Sequence, residues 1–463
     1  MKSVSSFPLS SLCTYFTDSS DFSTTENFSE KFVGLKCTDG KLKIYFPVGY
    51  RKSDEHADEK EIRSNILNLI HILRTYGEKG ENLLQGNPYS KNPQKVFPIH
   101  AYIFIIRDFL SNGYFSIKEQ RYQKNAGGKI SWGRTIKNVK PQFSDGNVFY
   151  LDFITQKNLY SQSEMICKIH KAVVYECFSK LGFLFTTFMP EKSQLKMNKA
   201  LFISVIKKVA SETFNENALF LFKNMIDVLE WLDNFNEKKD FVYGTENFHV
   251  IWERMIDLIF GESDKEKFYP KVYWHLYGKE NTESTFTFND DEKRNSLRPD
   301  TIMILNRGKD GQKIFVLDAK YYRYGASENK YHLPDSSSIV KQLAYGEYID
   351  ENAKSSGVEN RLPEDVRKNI KENSIFNAFI MPANLEGNTN SKKMKNIGWA
   401  SADYVLPFFS DGADDEKSDC QKSWHKIHGI LLDTKSVMEH AALKDEKWKL
   451  ELATCVKKSV FSE

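Results

Sequence analysis

The sequence has no Cys-x-x-Cys pair among its six cysteines, and their spacing fits neither a disulfide framework nor a zinc site. It has no continuous apolar stretch approaching ~18 residues and no signal-peptide pattern at its start. Neither sign of charge dominates, since 65 Lys and Arg accompany 62 Asp and Glu. We therefore expect a reduced, cytoplasmic protein without a membrane partner. Any surface that binds a polyanion must come from local clusters of charge.

The pattern of apolar residues predicts two regions that meet near residue 240. Residues 1–240 read as an α+β and then helical region. Residues 241–463 read as an α/β domain, in which a helix ending at Gly261 is followed by strands and a further helix. The predicted strands are 299–305, 313–322 and 375–383, and the predicted helix between the last two is 338–350.

Two carboxylates and a lysine fall at one end of a predicted β-hairpin. Asp300 precedes the first strand, and Asp318 and Lys320 lie near the end of the second. Asp318 and Lys320 are two residues apart, so both side chains project from one face of a strand. Carboxylate oxygens are ligands that Mg²⁺ prefers, and a nearby cation orients water and stabilises charge during phosphodiester hydrolysis. The pattern predicts a Mg²⁺-dependent site for that reaction.

The same residues have a simpler interpretation, in which Asp300 is a turn residue and Asp318 and Lys320 form an exposed ion pair. However, residues 314–317 before Asp318 are all apolar, which predicts a buried strand. An ionised carboxylate in such a strand is costly unless it is paired or binds a metal. The context therefore favours the metal site.

Pro299-Asp300 and Asp318-Ala319-Lys320 resemble the two elements of the PD-(D/E)xK nuclease superfamily. The motifs RPD, VLDAKYY, KQLAYGEY and GKISWGRTIK together resemble those of LlaJI-type restriction endonucleases, which are related to McrC nuclease subunits. The resemblance extends over about residues 120–440. It implies a PD-(D/E)xK core in the carboxy-terminal half, which is a mixed sheet flanked by helices, and cleavage of double-stranded DNA with Mg²⁺.

The resemblance also implies two auxiliary residues on helices. Glu253 matches an additional acidic metal ligand on the helix before the hairpin, with Asp257 one turn later as the alternative. Gln342 matches a glutamine on the following helix, although Tyr345 comes three residues later rather than the four of related nucleases. The simpler alternatives are a solvated helix face for Glu253 and an ordinary helix surface for Gln342. His249, one turn before Glu253, is predicted to be structural.

A basic segment at residues 121–140 surrounds one tryptophan with lysines and arginines in a turn-rich frame. Such cations neutralise phosphates while an aromatic ring contacts a sugar or a base. Docking of a partner subunit and a solvated hairpin are the alternatives. We predict that the DNA-contacting side chains are Lys129, Trp132, Arg134 and Lys137.

The resemblance implies a type II-like restriction endonuclease that cuts foreign DNA at a specific site, with a cognate DNA methyltransferase in the same system. The alternatives are a repair or modification-dependent nuclease, an McrC-like nuclease subunit, and a non-catalytic DNA-binding or assembly subunit. LlaJI-type chains commonly work with an McrB-like nucleotide-hydrolysing subunit, and this sequence has no phosphate-loop motif of its own. Cutting both strands with one site per chain requires a homodimer or sequential nicking, and the sequence leaves both open.

Overall fold

The computed structural model describes most of the chain, and the following statements concern those residues. They are residues 13–16, 32–38, 41–50, 59–77, 84, 96–161, 164–232, 240–277, 283–286, 297–354, 361–385, 393–406, 422–440 and 446–458. None of the described helices is both long and apolar enough to cross a bilayer.

The described chain contains both helices and strands. The helices are α1 (Glu59–Ile72), α2 (Ile99–Asn112), α3 (Trp132–Asn138), α4 (Met165–Leu181), α5 (Lys199–Ser211), α6 (Glu216–Trp231), α7 (Phe248–Phe260), α8 (Tyr324–Ser327), α9 (Ser336–Lys354), α10 (Glu364–Arg367), α11 (Thr434–His440) and α12 (Glu446–Lys458). The strands are β1 (Cys13–Phe16), β2 (Val33–Thr38), β3 (Lys41–Tyr45), β4 (Ile117–Lys124), β5 (Lys129–Ile130), β6 (Gln142–Ser144), β7 (Asn147–Phe149), β8 (Ile154–Ser161), β9 (Phe241–Thr245), β10 (Trp274–Tyr277), β11 (Glu283–Phe286), β12 (Thr301–Leu305), β13 (Lys313–Ala319), β14 (Ile375–Ala383), β15 (Met394–Ala400) and β16 (Ile427–Asp433).

The chain divides into two compact units. The first comprises residues 1–12, 37–41 and 86–243, and the second comprises residues 13–36, 42–85 and 244–463. The predicted amino-terminal region, residues 1–240, included the stretch 42–85, which the structure groups with the carboxy-terminal half. A four-stranded sheet has the order β1-β3-β2-β9.

The first unit contains a group of packed helices and a small β-rich module. Helices α2, α4, α5 and α6 pack together through fully buried apolar side chains such as Ile105, Val173, Phe202 and Val228. The module contains a three-stranded sheet in the order β4-β8-β5, the short helix α3 and the β6-β7 hairpin. The module includes the predicted basic segment, residues 121–140. This segment is formed of strands and a helix, so it contains fewer turns than expected.

The second unit is built on a five-stranded mixed sheet in the order β12-β13-β14-β16-β15. Strands β12 and β13 form an antiparallel hairpin, β13, β14 and β16 run parallel, and β15 returns antiparallel at the far edge. Helix α9 makes the crossover from β13 to β14 that parallel strands require. The predicted α/β class and the predicted hairpin are confirmed. The assignment of this sheet to the PD-(D/E)xK type stays a prediction.

The face of β13 that packs against α9 also carries Asp318. Ile314 and Val316 of β13 lie in one apolar cluster with Tyr345 and Ile349 of α9. Because alternate residues of a strand share a face, Asp318 projects on the same side as Ile314 and Val316. The acid therefore stands at the end of an apolar stripe that α9 covers.

The amino-terminal stretch 42–85 supports the end of this sheet. The backbone N–H of Val48 donates to the Tyr321 hydroxyl at 2.8 Å, and its carbonyl accepts from Thr434 Oγ1 at 2.9 Å. Gly49 has a positive φ of 72° and lies directly against the backbone of Ala383, where a side chain would overlap β14. These contacts fix the loop that follows Lys320.

Candidate active site

The β12-β13 hairpin brings Asp300 and Asp318 together. In the antiparallel pairing of these strands Thr301 is opposite Leu317. Asp300 and Asp318, one position further along this ladder, are therefore opposite each other. The backbone N–H of Ala319 donates to Asp300 Oδ2 at 2.8 Å, and the Asp300 and Asp318 side chains are within hydrogen-bonding distance of each other. The acids are thus held in contact by the backbone of the hairpin.

Lys320 lies directly beyond the end of β13 and reaches back to Asp318. Its backbone N–H donates to Ile380 O at 2.9 Å, which extends the pairing of β13 with β14 by one residue. Its ammonium lies 2.9 Å from Asp318 Oδ2. Burial by itself lowers the pKa of the Lys320 ammonium, but Asp318 and Asp300 outweigh it, so the pKa is raised. Lys320 is therefore held as a cation beside the carboxylates.

The surroundings of Asp300 disfavour its ionised form. Burial raises the pKa of its carboxyl group well above the ordinary range, and the nearby Asp318 and Glu253 raise it further. The hydrogen bond from Ala319 acts in the opposite direction without reversing the shift. Two acids pressed together in a buried position favour the binding of a cation or a proton between them.

Glu253, and not Asp257, faces this pair from α7. Burial raises the pKa of the Glu253 carboxyl, and the negative charge of Asp318 raises it further. Asp257 instead pairs with Lys265 at 2.7 Å and accepts a 3.2 Å hydrogen bond from Thr301 Oγ1. Asp257 is therefore paired at the start of β12, whereas Glu253 interacts electrostatically with Asp318, and the role of Glu253 as a metal ligand stays a prediction.

Gln342 of α9 is fully buried and directed at β13. Its side-chain amide donates to Val316 O at 2.6 Å, two residues before Asp318. An ordinary helix surface is therefore wrong for this residue. Tyr345 follows three residues later, and its hydroxyl donates to Arg298 O at 3.1 Å. Burial raises the pKa of this hydroxyl, and the charges of Asp318 and Asp300 raise it further.

The acids fit a magnesium ion as a partial set of ligands. In the described part of the chain, no group of three or more His, Cys, Asp or Glu side chains is already arranged to hold a metal. Mg²⁺ commonly uses only one or two carboxylates and takes its remaining oxygens from water and substrate phosphate. Asp300 and Asp318 supply two such carboxylates in contact, and their mutual repulsion is what a divalent cation relieves. The donor set therefore fits Mg²⁺ once phosphate oxygens join it.

Sequence reasoning missed one contact at this site. Lys265, in the turn after α7, donates to the backbone carbonyl of Asp300 at 2.6 Å while it pairs with Asp257. Lys265 thereby ties α7 to the start of β12. The pattern of residues in the sequence does not predict a hydrogen bond between a lysine and a main-chain oxygen 35 residues away.

The four predicted DNA-contacting residues are all exposed on the β-rich module of the first unit. Lys129 is in β5, Trp132 begins α3, and Lys137 is in the last turn of α3. Arg134 stacks its guanidinium over the Tyr122 ring at 3.8 Å. The module also exposes an unusual number of large apolar side chains, which are Trp132, Ile136, Phe143, Val148, Phe149 and Leu151.

Comparison with known proteins places the chain in a family. A family model described as "LlaJI restriction endonuclease" matches residues 32–403, a range that includes every residue discussed above for the site. A curated relative, the "Type II restriction enzyme BsuMI component YdjA" of Bacillus subtilis (strain 168), is 24% identical over 371 residues. That alignment covers 77% of this chain and 73% of the relative.

A solved structure also matches at a low level. It is the half-complex from a tetradecameric assembly of Thermococcus gammatolerans McrB AAA+ hexamers with bound McrC, and the match covers 93% of this chain and 83% of that chain. The identity is 12% and the TM-score is 0.32, too low to carry a structural argument. Because the family match spans most of the sequence, the chain belongs to the LlaJI restriction endonuclease family.

Proposed function

We propose that this chain is a Mg²⁺-dependent endodeoxyribonuclease with a PD-(D/E)xK core. It cuts double-stranded DNA at a specific site, as a defence against foreign DNA. The observation that carries the proposal is the convergence of Asp300, Asp318 and Lys320 at the open end of one hairpin. Membership in a restriction endonuclease family supports the same reaction class.

Asp300 and Asp318 would hold Mg²⁺, with Glu253 of α7 as a third carboxylate. When it is bound, Mg²⁺ polarises the scissile phosphate and favours deprotonation of a water molecule. No histidine or cysteine is needed among the ligands, since oxygen donors suit this ion best.

The chain's own residues keep the site in order and stabilise charge. The Ala319 N–H orients the Asp300 carboxylate, so that this acid enters the reaction with a fixed geometry. Asp318 holds the Lys320 ammonium within reach of a phosphate bound at the acids. That ammonium stabilises the negative charge that develops on the phosphate oxygens and orients the attacking water. Gln342 acts indirectly, since its amide braces the β13 backbone next to Asp318.

Plasmid cleavage tests this proposal directly. Purified full-length protein should nick or linearise unmethylated supercoiled plasmid or phage DNA with Mg²⁺, and EDTA should stop it. Discrete fragments would establish site specificity, whereas a smear would indicate a nuclease of the repair type. Failure to cut, alone and with a partner subunit, would leave the non-catalytic DNA-binding or assembly role.

We further propose that a nucleotide-hydrolysing subunit of the McrB-like type is a partner. The resemblance to LlaJI-type and McrC chains supports this, as does the word "component" in the name of the Bacillus subtilis relative. The apolar side chains exposed around α3 suit a protein surface, whereas Lys129, Arg134 and Lys137 suit DNA. Cleavage assays with and without the neighbouring-gene ATPase or GTPase decide whether the partner is required.

Two other partners follow from the same proposal. A cognate DNA methyltransferase would protect the host's own recognition sites, and methylated plasmid should then resist cleavage. A homodimer would allow both strands to be cut in one encounter. Sedimentation of the protein with and without DNA, beside the ratio of nicked to linear product, distinguishes a dimer from sequential nicking.

A further inference from the structure

The connection between β13 and α9 lies at the same end of the strands as the candidate active site. It begins at Lys320, directly after β13, and ends where α9 begins at Ser336. Because β13 and β14 are parallel and α9 is the crossover between them, α9 must begin at the carboxyl end of β13. Ligands of open α/β sheets commonly bind at the carboxyl ends of the strands.

This connection is anchored to the sheet beneath it. Gly325 forms an isolated bridge with Ala383, and a side chain at Gly325 would overlap the carbonyl of Pro382. Earlier in the connection, the Tyr321 hydroxyl accepts its hydrogen bond from Val48, and the Tyr321 ring packs on Phe248 with centroids 5.4 Å apart. The connection therefore leaves the site along a fixed path.

The part of the connection that projects from the protein is a turn at residues 329–333. Its conformation is fixed by its own side chains, since Tyr331 N–H donates to Asn329 Oδ1 at 3.0 Å. Ser327 Oγ lies 2.7 Å from His332 Nδ1 and also accepts from the Asn329 N–H at 3.2 Å. Tyr331 is 94% exposed at the tip of this turn, and Lys330 beside it is also exposed. An aromatic ring is thus presented to solvent on a preorganised support.

The end of the turn leads into α9. Asp335 accepts a 2.9 Å hydrogen bond from the Ser338 N–H at the start of α9. Hydrogen bonds from Ser338 and Ser337 chiefly lower the pKa of the Asp335 carboxyl, and Lys320 is close enough to contribute. Tyr331 is four residues from Asp335, a span of at most about 14 Å. The turn therefore lies at the carboxyl end of β13, which is also the end that carries the acids.

We propose that the 329–333 turn contacts duplex DNA beside the cleaved phosphodiester. The Tyr331 ring packs against a sugar or base edge, and the Lys330 ammonium binds a backbone phosphate. This inference rests on the proposed nuclease function, because the position of the DNA follows from the position of the acids.

Binding assays of the full-length protein test the turn. Fluorescence anisotropy with a labelled duplex carrying the mapped cleavage site, in Ca²⁺ and then in a salt titration, compares wild type with Tyr331→Ala, Tyr331→Phe and Lys330→Ala. We expect Tyr331→Ala to weaken binding by about fivefold or more and Tyr331→Phe to retain most of it. Lys330→Ala should reduce the slope of log affinity against log salt by about 0.9. Melting temperatures should not change, since both side chains are exposed.

Two matched variants control for general surface effects. Tyr404→Ala removes another exposed tyrosine, 71% accessible, that follows β15 at the opposite edge of the sheet. Lys309→Ala removes an exposed lysine in the turn at the other end of the β12-β13 hairpin. Both should bind DNA as wild type does. A hydroxyl-radical footprint should lose protection in Tyr331→Ala only within about half a helical turn of the cut.

The outcomes separate this inference from the proposed function. If wild type cuts DNA but Tyr331→Ala and Lys330→Ala bind as it does, the inference is overturned and the nuclease stands. If binding depends on Tyr331 but wild type never cuts with Mg²⁺, the nuclease proposal fails and the DNA surface stands. If Tyr331→Ala loses only its nucleotide-hydrolysing partner, the turn docks protein and the inference is overturned. A wild type that neither binds nor cuts DNA overturns both.

Discussion

The N–H of Ala319 donates a 2.8 Å hydrogen bond to the carboxylate of Asp300, so one peptide unit joins the first acid to the strand that carries the second. The arrangement depends on the register of the hairpin, in which Thr301 is opposite Leu317. A shift of one residue would turn Asp318 to the opposite face of the sheet. The buried strands around it fix that register.

We expect Asp318→Ala and Lys320→Ala each to lower the cleavage rate at least about a hundredfold, because each removes charge that acts in the transition state. Folding and DNA binding should be largely retained. The measurement is plasmid linearisation with Mg²⁺, together with circular dichroism and anisotropy. Lys309→Ala, an exposed lysine of the same hairpin, serves as the control. Cleavage within a few-fold of wild type by either active-site variant would contradict the assignment.

Asp300→Asn should stabilise the metal-free protein while abolishing cleavage. The pKa of Asp300 is raised in the folded state, so its ionisation destabilises the fold as pH rises above its ordinary value of 3.8. Asparagine removes this ionisation and keeps an acceptor for the Ala319 N–H. At pH 8 in EDTA the variant should unfold with a free energy on the order of 1 kcal/mol higher than wild type.

The pH dependence is the control for this prediction. The difference in stability should narrow at pH 5, because the unfolded chain gains less free energy from ionising Asp300 as the pH falls towards the ordinary pKa of 3.8. Mg²⁺ should raise the melting temperature of wild type more than that of Asp300→Asn, because only wild type offers both charged ligands. A variant that is less stable than wild type at pH 8 would show that repulsion between the acids is not the dominant effect.

Ca²⁺ should support DNA binding without cleavage. It accepts the same oxygen ligands at longer distances and with looser geometry than Mg²⁺ does. Anisotropy in Ca²⁺ and gel assays in each ion measure the two properties separately. Equal cutting rates in the two ions would argue against a metal site whose geometry controls the reaction.

Reversing the charge of three basic side chains should show whether the β-rich module binds DNA or docks a partner subunit. If Lys129, Arg134 and Lys137 bind phosphates, their triple substitution by glutamate should weaken binding strongly, and the salt slope should fall by about 0.9 for each phosphate that is no longer neutralised. Cleavage should survive at high protein concentration.

The matched control replaces three other exposed lysines of the same unit by glutamate, so the net charge changes by the same amount. These lysines are Lys196, Lys207 and Lys208. Normal DNA binding combined with loss of a co-purifying nucleotide-hydrolysing partner would assign the module to docking. Unchanged results in both assays would leave the exposed cations without a binding role.

The sequence predicted the parts of the fold that local patterns determine. Apolar runs located β12, β13 and β14, and helical periodicity located α7 and α9, with boundaries that differ by a few residues. The two-residue spacing of Asp318 and Lys320 correctly placed both side chains together, because that relationship is set by the geometry of one strand.

The remainder depends on contacts between distant segments. Lys265 and Thr301 bind Asp257, which leaves Glu253 as the candidate metal ligand on α7. Helical spacing alone does not predict either of these two partners. The exposed turn at Tyr331 depends on Gly325 packing against Ala383, a tertiary contact that composition does not signal.

Val48 also sets the order in which the second unit can form. Its two hydrogen bonds join it to Tyr321 and Thr434, which lie 273 and 386 positions later in the chain. During synthesis from the amino terminus, the first partner emerges only after both the β-rich module and the packed helices, and the second emerges later still. Such distant pairings also form slowly, because closing long loops costs entropy before the pairing itself stabilises the chain. A nascent chain therefore cannot complete the support beneath the loop that follows Lys320 until it has been made as far as Thr434.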